Sequence, residues 1–310
     1  VQHGYCVMST EKYDSRFAGL ETWPSLQALQ AFHDDQLAAV AAVGPALPAI
    51  AEAADEAAER LGDEGRLIYV GAGTSGRIGV QDGVELTPTF NWPDERILYL
   101  IAGGDGALVR SLEGAEDSAD NGRLNMLKTQ AGRRDVAIGL AASGTTPFTI
   151  AALEQARTLG AMTIGVANNG DAPLLGAAEY PVLLQTGAET IAGSTRMKAG
   201  TAQKVFCNLF STLVMVRLGR VYRGMMVDMR ASNEKLRRRA QRMVAQLTNC
   251  SAEDAVAALE RTDGDLKLAV MLVSGFDVDA ARARLAQHGG NLGAALAAGP
   301  ADVEMQALRA

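Results

Sequence analysis

Histidine is nearly missing from this chain, with three in 310 residues. His3 lies near the start, His33 in a polar helix start and His288 before Gly289-Gly290, so no HxH, HExxH or Cys/His cluster exists. No histidine-built metal site is expected, nor a Ser-His-Asp hydrolase. Acid–base chemistry then falls to carboxylates, lysine or tyrosine. Cysteine is equally scarce: Cys6, Cys207 and Cys250 are odd in number, widely spaced and free of any CxxC pair. That argues against a disulfide framework and for a reducing compartment. Long apolar runs are wanting as well. The longest apolar helix candidate, around Val205 to Leu218, is interrupted by Asn208 and Arg217, so no membrane span is expected. Residues 1–10 lack a basic region followed by an apolar core, so no signal peptide is expected and the protein reads as cytoplasmic, with Met8 a candidate start. Basic charge is in deficit, 29 Lys+Arg against 36 Asp+Glu for a net charge of -7, a balance that disfavours nucleic acid as a partner.

What remains is ordinary globular composition, 48% hydrophobic and 21% charged. Residues from about Ser25 to Leu61 are rich in Ala and Leu at helical spacing, with Pro45 and Pro48 near a break, and predict two helices. Five short apolar runs follow: RLIYVGAG (66–73), ILYLIAGG (97–104), DVAIGLAAS (135–143), MTIGVANN (162–169) and YPVLLQT (180–186). Helix-like stretches such as 107–128 and 147–159 lie between them. Continuous apolar strands alternating with helices predict an α/β fold, a doubly wound, mostly parallel five-stranded sheet covered on both faces. After Thr186 the strands are expected to stop. Met197 to Leu218 reads as a long apolar helix and Ala231 to Gln246 as a basic one, its run Arg237 to Arg239 a solvated face. From Ser251 on, short amphipathic segments punctuated by Gly264, Gly275 and Gly289-Gly290 suggest a small helical subdomain. The expected divisions are 1–62, N-terminal extension and helices; 63–230, the sheet domain; and 231–310, the C-terminal helical region.

In an open parallel sheet ligands bind at the carboxyl ends of strands. The first such loop, Gly71-Ala72-Gly73-Thr74-Ser75-Gly76-Arg77, matches GxGxxG, yet its hydroxyls and the missing ribose-binding acid after the second strand count against a dinucleotide. The third strand ends in Ala142-Ser143-Gly144-Thr145-Thr146-Pro147. Either loop alone reads equally well as helix capping. Two hydroxyl-rich strand-to-helix turns in one sheet favour a single compact phosphate.

This arrangement resembles the sugar isomerase (SIS) domain. GAGTSGRIG (71–79), EGAEDS (113–118), GSTRMKAGTAQK (193–204) and MVDMRASNEKL (226–236) resemble segments of the N-acetylmuramic acid 6-phosphate etherase family, and the similarity extends from about Thr10 to the QHGG at 287–290. The resemblance implies a phosphorylated amino-sugar substrate, a homodimer with its site near the subunit interface, a terminal piece like a ubiquitin-associated fold, and phosphate contacts at Thr74, Ser75, Ser143, Thr145 and Thr146. It implies removal of D-lactate from C3 of the sugar. In the open-chain form C3 is β to the C1 aldehyde, so loss of the C2 proton gives an enolate that expels the C3 oxygen before water adds. One base and one acid suffice, and no cofactor is required. The family's two catalytic glutamates align with Glu85, read here as an acid kept protonated by burial, and Glu116, read as the C2 base. On a helix Glu113, Glu116 and Asp117 would share a face; the bland alternative is a solvated acidic surface. Ser194 and Lys198 are candidate substrate contacts, and Arg196 with Lys198 could neutralise phosphate or substrate carboxylate or sit at a dimer rim. Two departures stand out: LTPTFNWP (86–93) where a Cys-Pro-Pro-Thr-like run is expected, and Thr145 where Arg is frequent. A non-catalytic phosphosugar-binding regulator or a phosphosugar isomerase on the same fold are the alternative readings.

Overall fold

The computed structural model describes residues 8–229 and 234–297. His3, Cys6 and positions 230–233 of the MVDMRASNEKL segment lie outside the described residues. The chain divides into two units, one formed by residues up to Val84 with Asp94–Leu213, the other by Glu85–Pro93 with the chain from Val214 on.

The first unit is built on five parallel strands, β1 (Leu67–Gly71), β2 (Ile97–Ile101), β3 (Val136–Leu140), β4 (Met162–Ala167) and β5 (Tyr180–Leu183). Every residue of β1, β3 and β4 is buried, as continuous apolar runs require when helices cover both faces. The order is β2-β1-β3-β4-β5. Chain direction across the sheet therefore reverses between β1 and β3, and the crevice at their carboxyl ends is the switch point where a doubly wound sheet binds ligands.

Seven helices accompany the strands: α1 (Ser25–Ala41), α2 (Leu47–Leu61), α3 (Gly73–Phe90), α4 (Ala119–Thr129), α5 (Pro147–Thr158), α6 (Pro173–Ala177) and α7 (Lys198–Arg217). Ser25–Leu61 is apolar in its richest eighteen-residue window, with mean hydropathy 1.6, but it is not one uninterrupted helix. The stretch breaks at the 3-10 turn Gly44–Ala46. Ile50, Ala53, Ala54, Ala57 and Leu61 then give α2 a buried face. The expected helix over 107–128 is corrected to α4 alone. Two 3-10 turns, Asp105–Leu108 and Ala115–Asp117, precede it, because Gly114 adopts φ +73 and ends any helical run there.

In the second unit a short antiparallel pair, β6 (Val221–Tyr222) and β7 (Met225–Met226), shows that strands do not end at Thr186. It is followed by α8 (Glu234–Thr248), α9 (Ala252–Arg261), α10 (Leu266–Val273), α11 (Val278–Gln287) and α12 (Leu292–Ala297). Ser251, Asp265 and Asp277 cap α9, α10 and α11 by accepting from backbone amides. Arg237, Arg238 and Arg239 are exposed, as a solvated face requires. Trp92, from the departing LTPTFNWP run, is fully buried beneath the Arg220 guanidinium, 5.1 Å from its ring centroid.

Candidate functional site

The turn after β1 is shaped by glycine. A Cβ on Gly71 would stand 2.9 Å from the Gly76 backbone, so only hydrogen there lets α3 begin tight against the strand. Thr74 and Ser75 thus ride on the first turn of α3, where free amides carry partial positive charge. After β3 the chain turns through Ser143-Gly144-Thr145-Thr146 into α5. The Thr145 amide (3.2 Å) and hydroxyl (3.1 Å) both donate to Ser143 Oγ. Thr146 occupies the N-cap of α5 yet makes no capping bond, which leaves its hydroxyl and the α5 amides open.

The two loops line one cavity of about 540 Å³ at the switch point. Its walls include Thr74, Ser75, Ser143, Thr145 and Thr146, all named from sequence, together with Glu116, Asp117, Thr195 and Glu11. Among the described residues no lysine or arginine lines it. An anion there would be held by hydroxyls and by two converging helix N-termini. Glu116 reaches the cavity from the 3-10 turn Ala115–Asp117, not from an α-helix, so the i, i+3, i+4 argument for a shared face is set aside.

Four sequence-named residues stand elsewhere. Glu85 is not among the lining residues; it lies within α3, twelve positions after Gly73, and is exposed, so the expected burial does not occur. Ser194 is half-buried and outside the lining, whereas its neighbour Thr195 is in it. Lys198 is buried and committed: its ammonium donates to Asp35 Oδ1 at 3.1 Å and to the Ala188 carbonyl at 2.8 Å. Arg196 is exposed. Glu189, which sequence reasoning missed, takes the Lys198 and Ala199 amides at 2.8 and 2.9 Å and so caps α7. Burial, opposed by those two amides, raises its carboxyl above the ordinary value.

Glu11 was also missed. It belongs to a 3-10 turn, Ser9–Glu11, held by a buried amide: Ser9 Oγ (2.8 Å) and the Thr10 amide (3.3 Å) donate to Asn169 Oδ1, while Asn169 Nδ2 donates to Thr10 Oγ1 (3.1 Å) and to the Ala142 carbonyl (3.0 Å). Further along α3, Asp82 accepts from the Tyr69 hydroxyl of β1 (2.7 Å) and from Asn208 (2.8 Å) and Ser211 (3.2 Å) of α7. Burial raises the Asp82 carboxyl, these donors opposing it.

A protein of Deinococcus radiodurans named N-acetylmuramic acid 6-phosphate etherase is 48% identical over 293 residues, covering 94% of this chain and 96% of that protein. The chain belongs to the N-acetylmuramic acid 6-phosphate etherase family. A second etherase of that name, from Streptomyces coelicolor, is 45% identical across 94% of both chains. Within this chain, residues 49–157 match the glucokinase regulatory protein N-terminal SIS domain and residues 115–213 the SIS domain. Among solved structures, a phosphoheptose isomerase from Francisella tularensis is similar at 18% identity and TM-score 0.45, over 61% of this chain and all of that one.

Proposed function

We propose that this chain cleaves the D-lactyl ether of N-acetylmuramic acid 6-phosphate, giving N-acetylglucosamine 6-phosphate and D-lactate, as a carbon–oxygen lyase of cell-wall amino-sugar recycling. One observation carries the reading. Two hydroxyl-bearing helix N-termini and the carboxylate Glu116 converge on a single cavity. The phosphate rests on Thr74, Ser75, Ser143, Thr145 and Thr146, which places the sugar toward the acidic wall.

In the open-chain sugar Glu116 removes the C2 proton, and the electron pair left behind delocalises onto the C1 aldehyde. Collapse of that enolate forms the C2–C3 double bond and breaks the C3–oxygen bond. Glu85 donates its proton to the departing lactate oxygen, then takes one from the water that adds at C3, while C2 is reprotonated. Each transfer is worth about 10²–10⁴ in rate.

Glu85 is exposed on α3 and absent from the lining of the cavity, so we assign it to the site of a second copy in a homodimer. The apolar surface of α1 supports that pairing. Leu26, Leu29, Leu37 and Val40 fall on one stripe of the helix and are 49–70% exposed. Incubation with N-acetylmuramic acid 6-phosphate and an assay for D-lactate tests the reaction; a protein that releases no lactate rules it out.

A further inference from the structure

A site for a doubly anionic substrate has three carboxylates in its wall, Glu11, Glu116 and Asp117, and no lining cation among the described residues. Glu116 and Asp117 share one turn. Glu11 arrives separately, from the far end of the sequence, and the structure fixes it there by a costly device. Thr10 is fully buried, and its amide and hydroxyl are both consumed by Asn169, itself 5% exposed and bonded onward to the Ala142 carbonyl of the phosphate loop. The Glu11 backbone is thereby tied to the loop that follows β3. Its carboxylate rests over Gly193, where a Cβ would come within 2.9 Å of Glu11 Oε2. Among the described residues that carboxylate has no hydrogen-bond or ion-pair partner, so its acceptor capacity is open to the cavity.

We infer that Glu11 is a sugar-binding residue of this site, accepting hydrogen bonds from the donors of the amino sugar and orienting it in the cavity. A carboxylate repels phosphate and lactyl carboxylate alike, so the substrate groups it can accept from are the hydroxyls and the acetamide N–H. It also closes one wall to the phosphate and leaves the two helix N-termini as the place for it. The inference rests on the phosphosugar reading above and extends it to a residue outside the reacting pair.

The test compares two ligands by titration calorimetry, N-acetylglucosamine 6-phosphate and inorganic phosphate, on the wild-type protein, Glu11→Ala and Glu11→Gln. A lost hydrogen bond to a charged acceptor predicts at least about a tenfold weaker sugar phosphate in Glu11→Ala, with inorganic phosphate within about twofold. Glu11→Gln, which keeps a neutral acceptor, falls between. Unchanged sugar-phosphate affinity in both variants overturns the inference, and so does an equal loss for both ligands in Glu11→Gln, which would make Glu11 part of the scaffold. Failure of the etherase reading looks different. The wild-type protein would then release no D-lactate while its sugar-phosphate binding still depended on Glu11.

Discussion

Lys198 and Asp35 form an ion pair 3.1 Å long with side chains 7% and 12% exposed, joining the first turn of α7 to the middle of α1. Asp35 also accepts from the Thr190 hydroxyl, so α1, the 187–197 segment and α7 meet at one carboxylate. A lysine so engaged holds the segment that carries Thr195.

Lys198→Ala should therefore act on stability. Removing one partner of a buried pair costs about 3–5 kcal/mol, because the other charge stays buried and uncompensated. Urea denaturation of Lys198→Ala and of the double variant Asp35→Asn/Lys198→Met measures it, with much of the loss restored in the double variant. Inorganic phosphate affinity of the folded Lys198→Ala protein should match wild type; a loss of tenfold or more would return Lys198 to the substrate.

Glu85→Gln and Glu116→Gln should each abolish lactate release while leaving phosphosugar binding nearly intact. Exchange of the C2 proton with deuterated water identifies the base: it should persist in Glu85→Gln and vanish in Glu116→Gln. If each site takes Glu85 from one chain and Glu116 from the other, co-refolding the two inactive variants in equal amounts should restore about a quarter of wild-type activity, one good site in each hybrid dimer. A mixture that stays inactive although subunits exchange would place both glutamates on one chain.

Asp82 gives a pH-dependent signature. Its folded carboxyl holds a proton to higher pH than the ordinary value of 3.8, so it stabilises the fold fully below that value and loses the contribution as pH rises through its folded value. Asp82→Asn keeps one acceptor for the α7 donors and should lack that decline. Across a pH series of urea denaturations starting near 4, the variant should gain on wild type as pH rises; parallel curves would contradict the assignment.

Gly193→Ala should impair sugar-phosphate binding more than phosphate binding. Gly193 has φ +75, and a methyl there meets the Glu11 carboxylate. The strain costs about 1–3 kcal/mol. Titration calorimetry with N-acetylglucosamine 6-phosphate checks the second effect: Gly193→Ala should cost less affinity when added to Glu11→Ala than when added to the wild-type protein, because no carboxylate is left for the methyl to meet.

The strands were legible from sequence because residues such as Ile68, Ile138 and Ile164 sit in runs buried on both faces, a pattern no surface helix shares. The two loops that line the cavity were legible because Thr74, Ser75, Ser143, Thr145 and Thr146 follow those strands directly. The acidic and basic residues were harder. Lys198 and Glu85 carry no local mark of which way they face; partners 163 residues away, as for Lys198 and Asp35, decide it. The spacing of Glu113, Glu116 and Asp117 suits a helix, but Gly114 between them takes a left-handed backbone that spacing does not reveal. Glu11 had no signal of its own, since its placement depends on Asn169, and the nearest hint was a buried threonine beside it.

The clamp at Asn169 also sets the order in which the cavity can be assembled. Ser9 and Thr10 bond to a residue 160 and 159 positions later, so their wall of the cavity cannot close until β4 has formed and presented Asn169 at its end. Sequence separations of that size close slowly and late. During synthesis Ser9 and Thr10 therefore wait for Asn169, and the loops after β1 and β3 are already made before the wall that carries Glu11 can dock against them.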